Sequence, residues 1–133
     1  MTYRTMLDTN ILSDVVRRPC GLAAAGMARH GEDGLCTSIV CAAELRLWAA
    51  KSDAPRLGGR IDAMLANLHV LPFEAPADRL YAKLRATLEA GRDSIGPNDL
   101  LIAAHALALG LTLVTHDAHF ARVPGLATQD WLA

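Results

Sequence analysis

Tyr3-Arg4-Thr5-Met6-Leu7-Asp8-Thr9-Asn10-Ile11-Leu12 is an apolar run that stops at a carboxylate and passes at once into helical periodicity. A short strand that gives way to a helix within three residues is the opening half of a parallel crossover, because parallel strands need a long return connection. The same alternation recurs downstream. Strands are expected at Tyr3–Leu7, Leu35–Thr37, Val70–Phe73, Thr112–Thr115 and a last short edge near Ala127–Thr128. Between them lie helices over 10–17, 21–30, 38–50, 54–67, 76–91 and 97–109. Ser38 is placed to cap one helix and Gly110 to end another. The chain is therefore expected to be a single α/β domain over 1–133, with a short, mainly parallel sheet of four to five strands.

Four acids stand where a carboxylate is hard to explain as ordinary surface. Asp8 and Asp117 follow two strands, Glu44 lies inside the apolar helix Val40–Trp48, and Asp99 opens the most hydrophobic helix, Asp99-Leu100-Leu101-Ile102-Ala103-Ala104. Glu44 shares its stripe with Val40, Leu47 and Trp48 at helical spacing, so it is expected to point toward the body of the domain. Open α/β sheets place their ligands at the carboxyl ends of strands. A carboxylate near an apolar core is costly unless paired, protonated or bound to a cation. Oxygen ligands alone suit Mg²⁺ or Mn²⁺ rather than zinc. Asn10, Thr115 and Asn98 are short polar groups able to orient ligands or water around such an ion. Each acid also has a plainer reading: Asp8 as a turn former, Asp99 as a partner of the helix dipole, Glu44 as a partner of Arg46, and Asp117 as loop solvation.

The bulk numbers bound the rest. Net charge is −1, so no global basic field advertises nucleic acid. Arg17, Arg46 and Arg92 are nevertheless candidates for local contact with RNA phosphates. No apolar run approaches a membrane span, and charges at Arg4, Asp8, Asp14, Arg17 and Arg18 argue against a signal peptide. The odd cysteine count, at Cys20, Cys36 and Cys41, suggests reduced and mostly buried thiols, consistent with a cytoplasmic protein. His105, inside an apolar helix, is expected to be a hydrogen-bonded core histidine.

Taken in order, these segments resemble the signature of PIN-domain ribonucleases, and specifically of VapC-type toxins of type II toxin–antitoxin pairs. The carriers are Met6-Leu7-Asp8-Thr9-Asn10-Ile11-Leu12, then Ser38-Ile39-Val40 through Ala43-Glu44-Leu45, and then Gly96-Pro97-Asn98-Asp99-Leu100-Leu101-Ile102-Ala103-Ala104-His105-Ala106, the most specific of them. Leu113-Val114-Thr115-His116-Asp117 through Phe120, with Val123-Pro124-Gly125-Leu126, closes the pattern. One departure is His116, where the family often has asparagine. The resemblance implies a three-layer α/β/α domain in which Asp8, Glu44, Asp99 and Asp117 bind Mg²⁺ (or Mn²⁺) and carry catalysis, with Asn10 and Thr115 in support. It implies metal-assisted hydrolysis of phosphodiesters in structured RNA, tRNA above all. It also implies inhibition by a cognate VapB-type antitoxin, a homodimer that joins the antitoxin in a larger hetero-oligomer, and operator DNA reached only through that antitoxin. The competing reading is a catalytically weak antitoxin-binding partner that acts mainly in an operator-binding complex. A receiver or aspartyl phosphatase is disfavoured by Thr115-His116-Asp117 after the late strand and by Asp8-Thr9-Asn10 in place of Asp-x-Asp.

Overall fold

The computed structural model describes residues 3–31 and 34–133. Five strands, β1 (Thr5–Leu7), β2 (Leu35–Ser38), β3 (His69–Leu71), β4 (Thr112–Val114) and β5 (Thr128–Gln129), form one sheet in the order β3-β2-β1-β4-β5. Every pairing is parallel, with Met6 flanked by Cys36 on one side and Leu113 on the other. Six helices fill the connections: α1 (Thr9–Arg17), α2 (Leu22–His30), α3 (Ile39–Lys51), α4 (Leu57–Leu65), α5 (Ala77–Ala90) and α6 (Pro97–Leu109). A 3-10 turn, Ala118–Arg122, links β4 to β5.

This strand order determines where a ligand can sit. From β1 the chain steps outward to β2 and β3, then returns past β1 to add β4 and β5 on the other side. Right-handed crossovers running in opposite directions along a sheet put their helices on opposite faces. Accordingly α5 and α6 pack on each other, while α1 contacts α2, α3 and α4, giving an α/β/α layering. The direction reverses between β1 and β4, and the crevice of such a sheet opens at the carboxyl end of that switch point. Asp8 lies there.

The elements follow from local chemistry. Met6, Leu7, Leu113 and Val114 are fully buried, as expected of central strands covered on both faces. Asp8 caps α1, its carboxylate accepting the Thr9 N–H at 2.7 Å. Ser38 caps α3 by accepting from Val40 N–H. Pro97 occupies the first turn of α6, and Gly110 ends it in the left-handed conformation at φ +67°, which glycine adopts without steric cost. Leu100, Ile102, Ala103, Ala104, His105 and Ala106 make α6 the buried helix its composition implies. His105 is the anticipated core histidine: Nδ1 lies 2.7 Å from the Ser38 hydroxyl, and burial lowers its pKa. At the other end of the sheet Trp131 covers α2, where Gly26 leaves room for the indole and His30 stacks on it.

One sequence expectation is corrected. The core side of α3 is Cys41, Ala42 and Leu45, whereas Leu47 is 57% exposed and Glu44 and Trp48 are only half-buried. Apolar residues surround this helix, so periodicity alone did not single out the face that meets the sheet. The cysteines, by contrast, are mostly buried as expected, Cys36 and Cys41 inside and Cys20 exposed. No helix among the described residues is long and apolar enough to cross a membrane.

Candidate active site

Asp8 is the hub of the candidate site. It follows the last residue of β1, its own N–H donates to the Val114 carbonyl of β4, and it is almost wholly buried at 3% exposure. Its Oδ1 accepts from the Thr9 N–H, and its Oδ2 accepts from the Thr115 hydroxyl at 2.7 Å. Thr115 in turn accepts the Asp117 N–H at 3.0 Å, so one hydroxyl links the ends of β1 and β4. The Asn10 side-chain amide oxygen, Oδ1, accepts from the His116 N–H at 3.2 Å and ties α1 to the same turn. From the other side, the Thr9 hydroxyl donates to Glu44 Oε1 at 2.8 Å, holding α3 against the first turn of α1.

Charge acts between several of these acids. Burial pushes the Asp8 carboxyl up to about 6, with Asp99 and Glu44 adding repulsion against its two hydrogen bonds. Asp99, half-buried in the first turn of α6, is also raised, first by burial and then by the charges of Asp117 and Glu44. Asp8 thus feels the charges of Asp99 and Glu44, and Asp99 those of Asp117 and Glu44. Such an arrangement stores repulsion that a cation would relieve. His119 Nδ1 sits 3.6 Å from Asp117 Oδ1. Beneath the rim the buried Cys41 thiol is pushed up to about 12 by burial, with Asp8 adding to the effect, so it stays protonated and unreactive.

Among the described residues, no three His, Cys, Asp or Glu side chains close tightly enough to enclose an ion by themselves. An all-protein cage is not what magnesium requires. It keeps several waters and takes one or two carboxylates directly, leaving the others to hold its water shell. The donor set is all oxygen, anionic and hydrogen-bonded from behind, which fits a hydrated hard cation.

The remaining sequence candidates fall elsewhere. Asn98 is exposed on the outer side of the first turn of α6. Arg46 pairs with Asp62 at 2.6 Å, not with Glu44, and Arg17 lies over the Trp48 ring at 4.7 Å. Arg92 is exposed in the α5–α6 loop with φ +60°. Thr9 was not among the sequence candidates. Thr9 holds Glu44, and the signal was its place directly after Asp8, where a helix start faces the ligand.

A model of the PIN domain matches residues 5–126. Over 129 residues, 95% of this chain and 96% of the relative, the sequence is 34% identical to the tRNA(fMet)-specific endonuclease VapC of Shigella flexneri. Over 130 residues, 96% of this chain and 97% of the relative, it is 35% identical to Ribonuclease VapC2 of Haemophilus influenzae. Among solved structures, DNA-bound VapBC from Salmonella typhimurium matches with a TM-score of 0.92 and 30% identity, covering 98% of this chain and 99% of that one. VapBC2 from Rickettsia felis, bound to a promoter DNA fragment, matches with a TM-score of 0.90 and 32% identity, covering 96% and 98%.

Proposed function

Because this chain belongs to the PIN-domain family as a VapC-type ribonuclease toxin, we propose that it hydrolyses phosphodiesters in structured RNA with Mg²⁺ or Mn²⁺ held by Asp8, Glu44, Asp99 and Asp117. The observation that carries this reading is the mutual repulsion of buried and half-buried carboxylates at the switch point of the sheet, with Asp8 pushed up to about 6. A divalent ion bound there supplies a Lewis acid that activates water and neutralises charge building on the phosphate.

The chain's own residues do the rest. Thr115 and the Thr9 N–H fix both oxygens of Asp8, so that carboxylate faces the crevice without rearranging. The Thr9 hydroxyl holds Glu44, and the His116 N–H holds Asn10, so the rim keeps its shape. The dipole of α6 favours the anionic form of Asp99 at its first turn.

The substrate class we favour is tRNA, the target in the name of the Shigella flexneri relative. The regulator we favour is a cognate VapB-type antitoxin in the cytoplasm, bound to a toxin homodimer and carrying the complex to operator DNA. Support comes from DNA-bound VapBC assemblies of matching fold.

The test is incubation of the purified protein with total RNA in Mn²⁺, in Mg²⁺ and in EDTA. Discrete cuts are expected with either ion and none in EDTA. Cleavage that persists in EDTA, or in an Asp99→Asn variant of native fold, would overturn the metal assignment. Expression with and without the gene of the antitoxin separates a toxic nuclease from a binding partner.

A further inference from the structure

A cleft of about 160 Å³ opens on the far side of Asp117, between the end of β4, the 3-10 turn and β5. The hydrolytic chemistry above makes no use of it. Its lining includes Ala118 and Ala121, both exposed, and Phe120, just before Ala121, is fully buried and anchors the turn. A bulky side chain at Ala121 would intrude on a space of that size. The walls are polar: Asp117, His116, Gln129 and Asp130.

The His116 ring is held in place, with Nδ1 2.9 Å from Asp130 Oδ2. A carboxylate only accepts, so this Nδ1–H donates and Nε2 is left uncommitted. Asp130 is itself fixed, because its other oxygen accepts the Leu132 N–H at 2.8 Å. The edge strand β5, which ends at Gln129 just before Asp130, is pinned beside β4 through the Thr115 N–H and the Gln129 carbonyl.

A cleft of this volume, lined by two alanines and several hydrogen-bonding side chains, has room for one heteroaromatic ring. Two carboxylates in the walls disfavour a phosphate there and favour a neutral group rich in N–H donors. Since the cleft shares Asp117 with the acidic rim, a ring seated in it belongs to a nucleotide next to the bond being cut. We propose that this cleft is a nucleobase subsite that takes the base flanking the scissile phosphodiester and selects one bearing an exocyclic amine (adenine, cytosine or guanine) over uracil. The proposal rests on the nuclease reading for its position and on the cleft for its chemistry.

The experiment measures binding first and cutting second. The Asp99→Asn protein, alone and combined with Ala121→Phe or Ala121→Ser, is mixed with a stem-loop RNA whose loop is randomised, and the bound fraction is sequenced. One loop position should be depleted of uracil by about fivefold in the parent and in Ala121→Ser, and by less than about twofold in Ala121→Phe. An abasic nucleotide at that position should weaken binding to the parent by about tenfold and leave Ala121→Phe little changed, because base burial and stacking are what the cleft provides. Equal melting curves verify that the exposed Ala121 tolerates the change. Uniform base usage in the parent, or an unchanged profile in Ala121→Phe, overturns the subsite. The second readout is cutting of the same pool by protein with native Asp99 in Mn²⁺. Base selection without any cutting would refute the nuclease reading and leave the subsite standing, whereas cutting without base selection would refute the subsite alone.

Discussion

Replacing Asp8 with asparagine should make the metal-free protein more stable while abolishing its chemistry. The carboxyl is 3% exposed and held at about 6 instead of 3.8, so at neutral pH its charged form is disfavoured in the fold by about 3 kcal/mol. Asparagine removes that cost but cannot match both neighbours. Thr9 N–H and the Thr115 hydroxyl both donate to the carboxylate, and an amide offers one oxygen. Losing one of the two bonds costs about 1 kcal/mol, which leaves a net gain of about 2 kcal/mol. For a domain of this size that is a rise in melting temperature of roughly 5–10 °C.

The sign with pH is fixed by the direction of the shift. A carboxyl raised in the folded state contributes stability below 3.8 that is lost as the pH rises through about 6. The advantage of Asp8→Asn should therefore be complete above pH 6, and below pH 4 should give way to the loss of about 1 kcal/mol from the missing hydrogen bond. Thermal unfolding in EDTA across pH 4–8 measures it. Saturating Mn²⁺ should then raise the melting temperature of the native protein and scarcely move that of the variant, since a ligand of the folded state stabilises by mass action. An Asp8→Asn protein that melts below the native one at pH 8 in EDTA, or that still cuts RNA at the native rate, would refute the reasoning.

Three further outcomes are expected. Thr9→Val deletes the hydroxyl that holds Glu44 and should weaken Mn²⁺ binding by about tenfold, read by isothermal titration, because outer partners orient metal ligands. Gly26→Ala would put a Cβ 2.4 Å from the Trp131 ring, and overpacking of that kind should cost about 1–3 kcal/mol in chemical denaturation. His105 is buried with a lowered pKa, so the unfolded chain takes up its proton first on acidification, and the stability that neutral His105 contributes is lost as the pH falls below about 6.5. In His105→Gln that acid-side decline should flatten between pH 5 and 7, and an unchanged profile would contradict the assignment.

Much of the architecture was legible because each element carries its own punctuation. Asp8 marks where β1 stops and α1 starts, Pro97 and Gly110 bracket α6, and the apolar strands are too short and too uniformly hydrophobic for a sheet open to water on one face. Element ends drifted by one to three residues, as in β3, which spans His69–Leu71 where Val70–Phe73 was expected. The face of α3 was the clear failure. When apolar side chains surround a helix, their spacing no longer says which side meets the sheet, so Glu44 was assigned to a stripe whose member Leu47 faces solvent. Arginines fared similarly, because a sequence does not disclose that Arg46 is engaged by Asp62 or Arg17 by Trp48.

The sequence by itself determined the class of fold, the four acids and the chemistry their side chains favour, since those follow from residue type, local periodicity and the cost of stranding a carboxylate among apolar neighbours. Tertiary structure alone decided how the acids are held and how strongly they repel. The strand order β3-β2-β1-β4-β5 brings residues 8 and 115 together across more than a hundred positions, and one threonine hydroxyl then joins two strand ends. Burial, which sets the Asp8 carboxyl at about 6, is a property of everything packed around it, and no local stretch of chain contains that information.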